Sequence, residues 1–217
     1  VLAGHPDYGG FSCTMPLKRA VLQVATSVSD TARAIGAGNT LLPAADGWHA
    51  DNTDWRGIRD CLRAHQVAAT GRVLVLGAGG TAQAALAALP DAATITVAVR
   101  QPARARELLA AADRLGRTVT ITALADLPRS DLLISTLPPG AADALTGPVP
   151  GAALDVVYDG WPTRFAARLA SAGCRMVSGA SMLLYQAAAQ VELMTGRAAP
   201  VPAMRAALRA AVPGCGA

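Results

Sequence analysis

Apolar and polar positions along the 217-residue chain follow two regimes that meet near residue 72. Beyond it, short apolar runs alternate with stretches of helical periodicity. Runs at residues 73–76, 94–99, 118–121, 132–135 and 154–157 predict buried strands, and 82–89 and 103–115 predict helices between them. Such β-α repetition predicts an α/β fold with a parallel sheet and right-handed crossovers. Before residue 72 the pattern is mixed. Residues 11–15 read as extended, Pro16 suits the first turn of a helix to about Ala25, and Asp30 suits the cap of a short helix through Ile35. Residues 38–43 and 48–52 read as strands joined by Asp46 and Gly47. Asp54 opens an amphipathic helix with Ile58, Cys61 and Leu62 inward and Arg56, Arg59 and Arg63 outward, followed by a hinge at 67–71. Two more helices, 179–195 and 202–211, lie beyond the last predicted strand.

The sharpest change of pattern is R-V-L-V-L-G-A-G-G-T-A-Q-A at residues 72–84, an apolar run that stops in glycines and continues as an alanine-rich helix. This is a Rossmann-type dinucleotide fingerprint. Gly77 permits the tight turn, Gly79 lets the backbone approach a pyrophosphate, and Ala82 is small enough for the helix to pack on its strand. Ala78, Gly80 and Thr81 complete a turn whose unpaired N–H groups would face the phosphates. An NAD site carries an acidic residue about twenty positions further on. The second strand instead ends V-A-V-R-Q-P-A-R, offering Arg100 and Arg104. Guanidinium groups suit a ribose 2′-phosphate, so the expected cofactor is NADP.

Composition narrows the classes. Hydrophobic residues make up 52% and charged ones 16%, and mean hydropathy is +0.33, which excludes a disordered chain. The most apolar stretch, 179–194, is interrupted by Gln186, Gln190 and Glu192, so no membrane span is expected. Net charge is +4, but the arginines are scattered and aromatics are 4%, an arrangement that argues against nucleic-acid binding. Cys13, Cys61, Cys174 and Cys215 form no C-x-x-C pair and have no histidines at ligand spacing, so reduced thiols and no bound metal are expected, as in a cytoplasmic protein. The chain starts at Val1 without a signal-peptide pattern, and the missing methionine leads us to expect residues upstream.

Among 19 basic residues Lys18 is the single lysine. An ammonium can change protonation state in a way that a guanidinium cannot, which makes Lys18 a candidate acid-base group. With Asn39 and Asp54 also in view, the chain resembles the shikimate dehydrogenases over nearly its whole length. G-F-S-C-T-M-P-L-K at 10–18 is similar to that family's G-x-N/S-V-T-x-P-x-K, G-A-G-N-T-L at 36–41 to G-A-V-N-T-L, and D-N-T-D at 51–54 has the family form. V-R-Q-P-A-R-A resembles the NADP-binding N-R-T-x-x-R-A, D-V-V-Y-D-G-W-P-T a segment bearing a substrate-side tyrosine, and G-A-S-M-L-L-Y-Q-A-A the terminal G-x-x-M-L-x-x-Q-A.

The resemblance implies reversible NADPH-dependent reduction of 3-dehydroshikimate to shikimate, with Lys18 and Asp54 as the catalytic pair. It implies that Thr14, Asn39 and Gln186 hydrogen-bond the ring hydroxyls, that Tyr158 lines the pocket, that Gly179 and Met182 lie by the nicotinamide, and that Val157 also contacts the cofactor. The expected organisation is a smaller α/β substrate domain at 1–55 joined by helices at 179–217, a doubly wound NADP-binding domain at 72–177, and a connecting helix and hinge at 56–71, in a monomer or homodimer. A paralogue acting on quinate or an aminated shikimate, or a non-catalytic NADP-binding protein, would carry many of the same motifs. The family's Ser-x-Ser pair for the substrate carboxylate precedes the first motif, and no counterpart is found here. Cys13 and Gly38 stand where valines are usual, and Arg164 where proline is common.

Overall fold

The computed structural model describes residues 8–217. The larger of its two sheets has six strands, all parallel: β5 (Gly71–Leu76), β6 (Ala93–Val99), β7 (Val119–Ala123), β8 (Leu132–Ser135), β9 (Ala152–Asp155) and β10 (Arg175–Ser178). In space they run β10-β9-β8-β5-β6-β7, the doubly wound order in which the first strand pairs with the second on one side and the fourth on the other. The direction of winding therefore reverses between β5 and β8. A crevice opens there, outside the carboxyl ends of the strands.

The smaller sheet has the order β1-β3-β4-β2, built from β1 (Phe11–Ser12), β2 (Ser27–Val28), β3 (Thr40–Ala44) and β4 (Gly47–Asp51). β3 and β4 form the expected hairpin about Asp46 and Gly47. Gly47 has φ +132°, and a Cβ there would sit 2.8 Å from Thr26 Cγ2, so only glycine fits that corner. The helices α1 (Ala20–Val24) and α2 (Asp30–Ile35) belong to this half. Phe11, Leu22 and Trp48 pack around buried Cys13, Val21, Leu41 and Ala50.

Between the sheets lie α3 (Asp54–Ala64) and α7 (Gly179–Thr195), with α3 packed on both α7 and α4 (Gly80–Ala88). Gly57 makes the crossing possible: a Cβ on it would come 2.8 Å from both Met182 O and Gln186 Cβ. The inward face of α3 is as expected, with Ile58, Cys61 and Leu62 buried against α4 and the strands. At its far end His65 Nε2 meets Ser181 Oγ at 2.9 Å, and burial together with the Arg205 charge pushes its imidazole below the usual histidine range. The opposite face of the large sheet is covered by Phe165 and Leu169 of α6 (Arg164–Ser171), while α5 (Arg106–Arg114) and α8 (Val201–Ala211) complete the helices.

Several expectations are corrected. No helix begins at Pro16; residues 15–19 form turns and α1 starts at Ala20. The reason is a tertiary bond: the Lys18 carbonyl accepts from Gly38 N–H at 2.7 Å and is lost to a helical ladder. Ser29, not Asp30, caps α2, its Oγ accepting from Ala32 N–H at 3.1 Å. The helix expected at 103–115 is a 3₁₀ turn, Pro102–Ala105, followed by α5. The strand expected at 154–157 ends at Asp155, whose own carboxylate takes the Val157 N–H in place of a neighbouring strand. Strands β2 and β10 and helix α6 were not expected at all.

Candidate active site

The first motif is held by its backbone on both sides of Lys18. Cys13 N–H donates to Asn39 O at 2.7 Å, and Gly38 N–H donates to Lys18 O at 2.7 Å, so the 13–18 turn is stitched to the strand entering β3. That fixes the lysine relative to α3, whose first residue is Asp54. Lys18 Nζ donates to Asp54 Oδ2 at 2.6 Å, and Asn39 Nδ2 donates to Asp54 Oδ1 at 3.0 Å. Asp54 does not cap its own helix; Thr53 occupies that position, and Asn52 Oδ1 accepts from Asp54 N–H at 2.9 Å. The carboxylate is 4% exposed with both oxygens partnered, which is how a buried charge is tolerated.

Asn39, 2% exposed, is the hub of this arrangement. Its Nδ2 also reaches Thr53 Oγ1 at 2.9 Å and Gln186 Oε1 at 3.0 Å, and its Oδ1 accepts from Thr53 N–H at 2.8 Å. Gln190, one turn along α7, donates to Asn39 O at 2.9 Å and Thr40 Oγ1 at 3.0 Å. Thus α7 is keyed to the smaller sheet by two glutamines four residues apart, on one helical face. The role of Gln190 went unnoticed in the sequence, although its spacing from Gln186 was the available signal.

Lys18, Asn39, Asp54 and Gln186 line a cavity of about 230 Å³ together with Ser12, Cys13, Thr14, Thr81, Val156, Tyr158, Gly179, Met182 and Leu183. Lys18, Asp54, Thr14, Asn39, Gln186, Tyr158, Gly179 and Met182 are therefore brought together. Thr81, expected at the cofactor, opens onto this smaller cavity. Val156 rather than Val157 forms its wall; Val157 is pinned, its N–H on Asp155 Oδ1 at 3.3 Å and its carbonyl accepting from Gly179 N–H at 3.4 Å. Asp155 is buried and also accepts from Thr163 Oγ1 at 2.8 Å, so it anchors both ends of the loop carrying Tyr158. Burial pushes its carboxyl above the usual range, with the Thr163 and Val157 bonds opposing the shift.

At the turn leading into α4 a second cavity of about 620 Å³ opens, lined by Gly77, Ala78 and Gly79, by Val99 at the end of β6 and by Arg100 just after it. This is the crevice at the switch point of the sheet. Gly77 has φ +105°, and a Cβ on it would lie 2.6 Å from Thr136 Oγ1; at Gly79 a Cβ would meet nothing within 4 Å, so the backbone faces open space. No side chain caps α4, leaving its first N–H groups for a ligand. A glycine turn, bare amide groups and guanidinium side chains at one end fit a phosphate-bearing dinucleotide. Arg100 and, beyond expectation, Arg106 line this cavity. Arg104 lies in the 3₁₀ turn with its side chain outside the described residues, and Gly80 lines neither cavity.

Comparison with known proteins places the chain. Residues 2–41 match the profile of the shikimate dehydrogenase substrate binding domain, and residues 179–209 that of the shikimate 5'-dehydrogenase C-terminal domain. A protein of Halobacterium salinarum named shikimate dehydrogenase (NADP(+)) is 40% identical over 221 residues, covering 96% of this chain and 81% of that one. The crystal structure of Mycobacterium tuberculosis shikimate dehydrogenase superposes with TM-score 0.86 at 41% identity, over 94% of this chain and 79% of that one. The Thermus thermophilus enzyme in complex with NADP(H) and shikimate gives TM-score 0.86 at 33% identity, over 97% and 82%. On identity sustained over almost its entire length, the chain belongs to the shikimate dehydrogenase family.

Proposed function

We propose that the protein is an NADP-dependent shikimate dehydrogenase, interconverting 3-dehydroshikimate and shikimate. The observation that carries this is the 2.6 Å contact of Lys18 Nζ with Asp54 inside the small cavity, next to the glycine turn of the large one. Relatives named for this activity with NADP, and a solved relative holding NADP(H) and shikimate, support it. The smaller sheet, with residues 1–55 and the helices at 179–217, is read as the substrate lobe. Residues 72–177 are the cofactor lobe, and 56–71 connect them.

When bound, NADPH supplies the hydride to the carbonyl carbon. Negative charge then builds on the carbonyl oxygen, where a cationic proton donor is most effective. Lys18 gives that oxygen a proton, and Asp54 holds the ammonium in place and hydrogen-bonds the hydroxyl that forms. In the reverse direction Lys18, as the neutral amine, takes the hydroxyl proton, and the hydride would pass to the NADP⁺ held in the adjoining cavity. Thr14 and Gln186 reach the ring hydroxyls, and Asn39 joins them while keeping Asp54 and Gln186 in register. Tyr158 closes the pocket wall, and Gly179 and Met182 border the nicotinamide side. At the other end of the dinucleotide, Gly77, Ala78 and Gly79 would take the pyrophosphate, and Arg100 and Arg106 would pair with the 2′-phosphate.

Initial rates measured with each cofactor and each candidate alcohol test the assignment. A charge-assisted hydrogen bond to the 2′-phosphate contributes about 1.5–3 kcal/mol, so kcat/KM for NADP⁺ is expected to exceed that for NAD⁺ at least about tenfold with shikimate. Shikimate is expected to be turned over faster than quinate. A preference for NAD⁺, or for quinate, would overturn the corresponding half of the reading.

A further inference from the structure

The large cavity holds one carboxylate among its guanidinium groups, Glu107, beside Arg19, Arg100 and Arg106. A carboxylate at the ribose end of a dinucleotide site accepts the ribose hydroxyls of NAD and opposes a 2′-phosphate. Glu107 therefore conflicts with a preference for NADP unless something occupies it. Arg19 does: its Nη1 donates to Oε1 and its Nη2 to Oε2, a paired fork that takes both oxygens. The two residues come from different halves of the molecule. Glu107 is in the first turn of α5, whereas Arg19 immediately precedes α1 and directly follows Lys18.

We propose that Arg19 is a specificity-determining residue, contributed by the substrate lobe to the cofactor site. It neutralises Glu107 and, among the described residues of the cavity, leaves Arg100 and Arg106 as the net charge that a 2′-phosphate meets. The proposal rests on the NADP reading above. Both side chains are more than half exposed, 52% and 57%, and a surface ion pair of this kind adds little to folding stability. Its consequence lies in the cavity's potential, where one uncompensated carboxylate changes the balance of charge facing a dianion. Because Arg19 adjoins Lys18, the same pair also ties the ribose end of the cofactor cleft to the turn that carries the amine.

Calorimetric titration with NADP⁺ and NAD⁺ of the wild type, Arg19→Ala and Arg19→Ala/Glu107→Gln tests this. The Arg19→Ala protein is expected to lose about tenfold in its preference for NADP⁺, chiefly through weaker NADP⁺ binding. Removing the stranded carboxylate in the double variant is expected to restore the preference to within about threefold of wild type. An unchanged preference in Arg19→Ala overturns the proposal. So does a double variant as poor as the single one, because Arg19 would then act as a direct phosphate ligand. A wild type that binds both dinucleotides equally overturns instead the NADP reading, and the proposal with it. NAD⁺ binding retained by all three proteins shows that the cleft is folded.

Discussion

Lys18→Ala is expected to lower kcat for shikimate oxidation by about 10²–10⁴, equivalent to roughly 3–5 kcal/mol of transition-state stabilisation, while the dissociation constant of NADP⁺ stays within about threefold. The direction follows from what the ammonium does: charge appears on the substrate oxygen only as hydride moves, so the interaction is strongest in the transition state. Loss should therefore fall on kcat and kcat/KM together, with little change in KM. The variant also strips Asp54 of one of its two partners, and an unpaired buried carboxylate is destabilising. Two features limit that effect. The Lys18 side chain is 18% exposed, so water can take its place, and Asn39 still donates to Asp54. Unchanged NADP⁺ binding separates lost chemistry from lost structure. Turnover near the wild-type value would remove Lys18 from the reaction.

The largest expected effect on stability comes from Gly179→Ala. A Cβ there would lie 2.0 Å from Val156 O, 2.3 Å from Val156 C and 2.9 Å from Val156 Cα. Left-handed torsion is not the reason for glycine at this position. The start of α7 is pressed against the backbone leaving β9, and no side-chain rotation can relieve a contact between main chains. Overpacking typically costs about 1–3 kcal/mol, and backbone on both sides places this case at or above the upper end. For a chain of this length that corresponds to a fall in Tm of roughly 6–12 °C. Activity should fall with it, because Gly179 and Val156 both line the small cavity and any relief moves one away from the other. Thermal melting alongside turnover checks both expectations; a wild-type Tm would mean that α7 and the 156–158 loop are not in contact as described.

Much of this could be read in the sequence where the information is local. The glycine turn announces itself because φ +105° and a Cβ contact of 2.6 Å with Thr136 Oγ1 leave no other residue at Gly77, while Gly79 keeps the backbone open to a ligand. The alternation of apolar runs marks the parallel sheet, and Ile58, Cys61 and Leu62 do face inward on α3, although Gly57, buried against α7, gave no sign of it. What escaped depends on partners distant in the chain. Pro16 looks like a helix start until Gly38, far along the chain, claims the Lys18 carbonyl. Ser27 and Val28 form a strand only because β4 is alongside, and Arg175–Ser178 is too short and too polar at its start to stand out before it is laid on β9. In the site the same division holds. Lys18 and Asp54 were legible through their motifs, whereas the Asn39 hub, the anchoring of the 156–163 loop by Asp155 and the occupation of Glu107 by Arg19 are products of folding.

In the proposed mechanism one amine and one carboxylate, contributed by the 13–18 turn and by the start of α3, meet the reacting oxygen beside the cofactor. A crystal structure of the ternary complex with NADP⁺ and shikimate tests this most directly. The oxidised hydroxyl is expected within hydrogen-bond reach, about 2.6–3.2 Å, of Lys18 Nζ and the Asp54 carboxylate, with the nicotinamide against Met182 and Gly179. A shikimate ring bound elsewhere, or turned so that neither Lys18 nor Asp54 touches that hydroxyl, would contradict it.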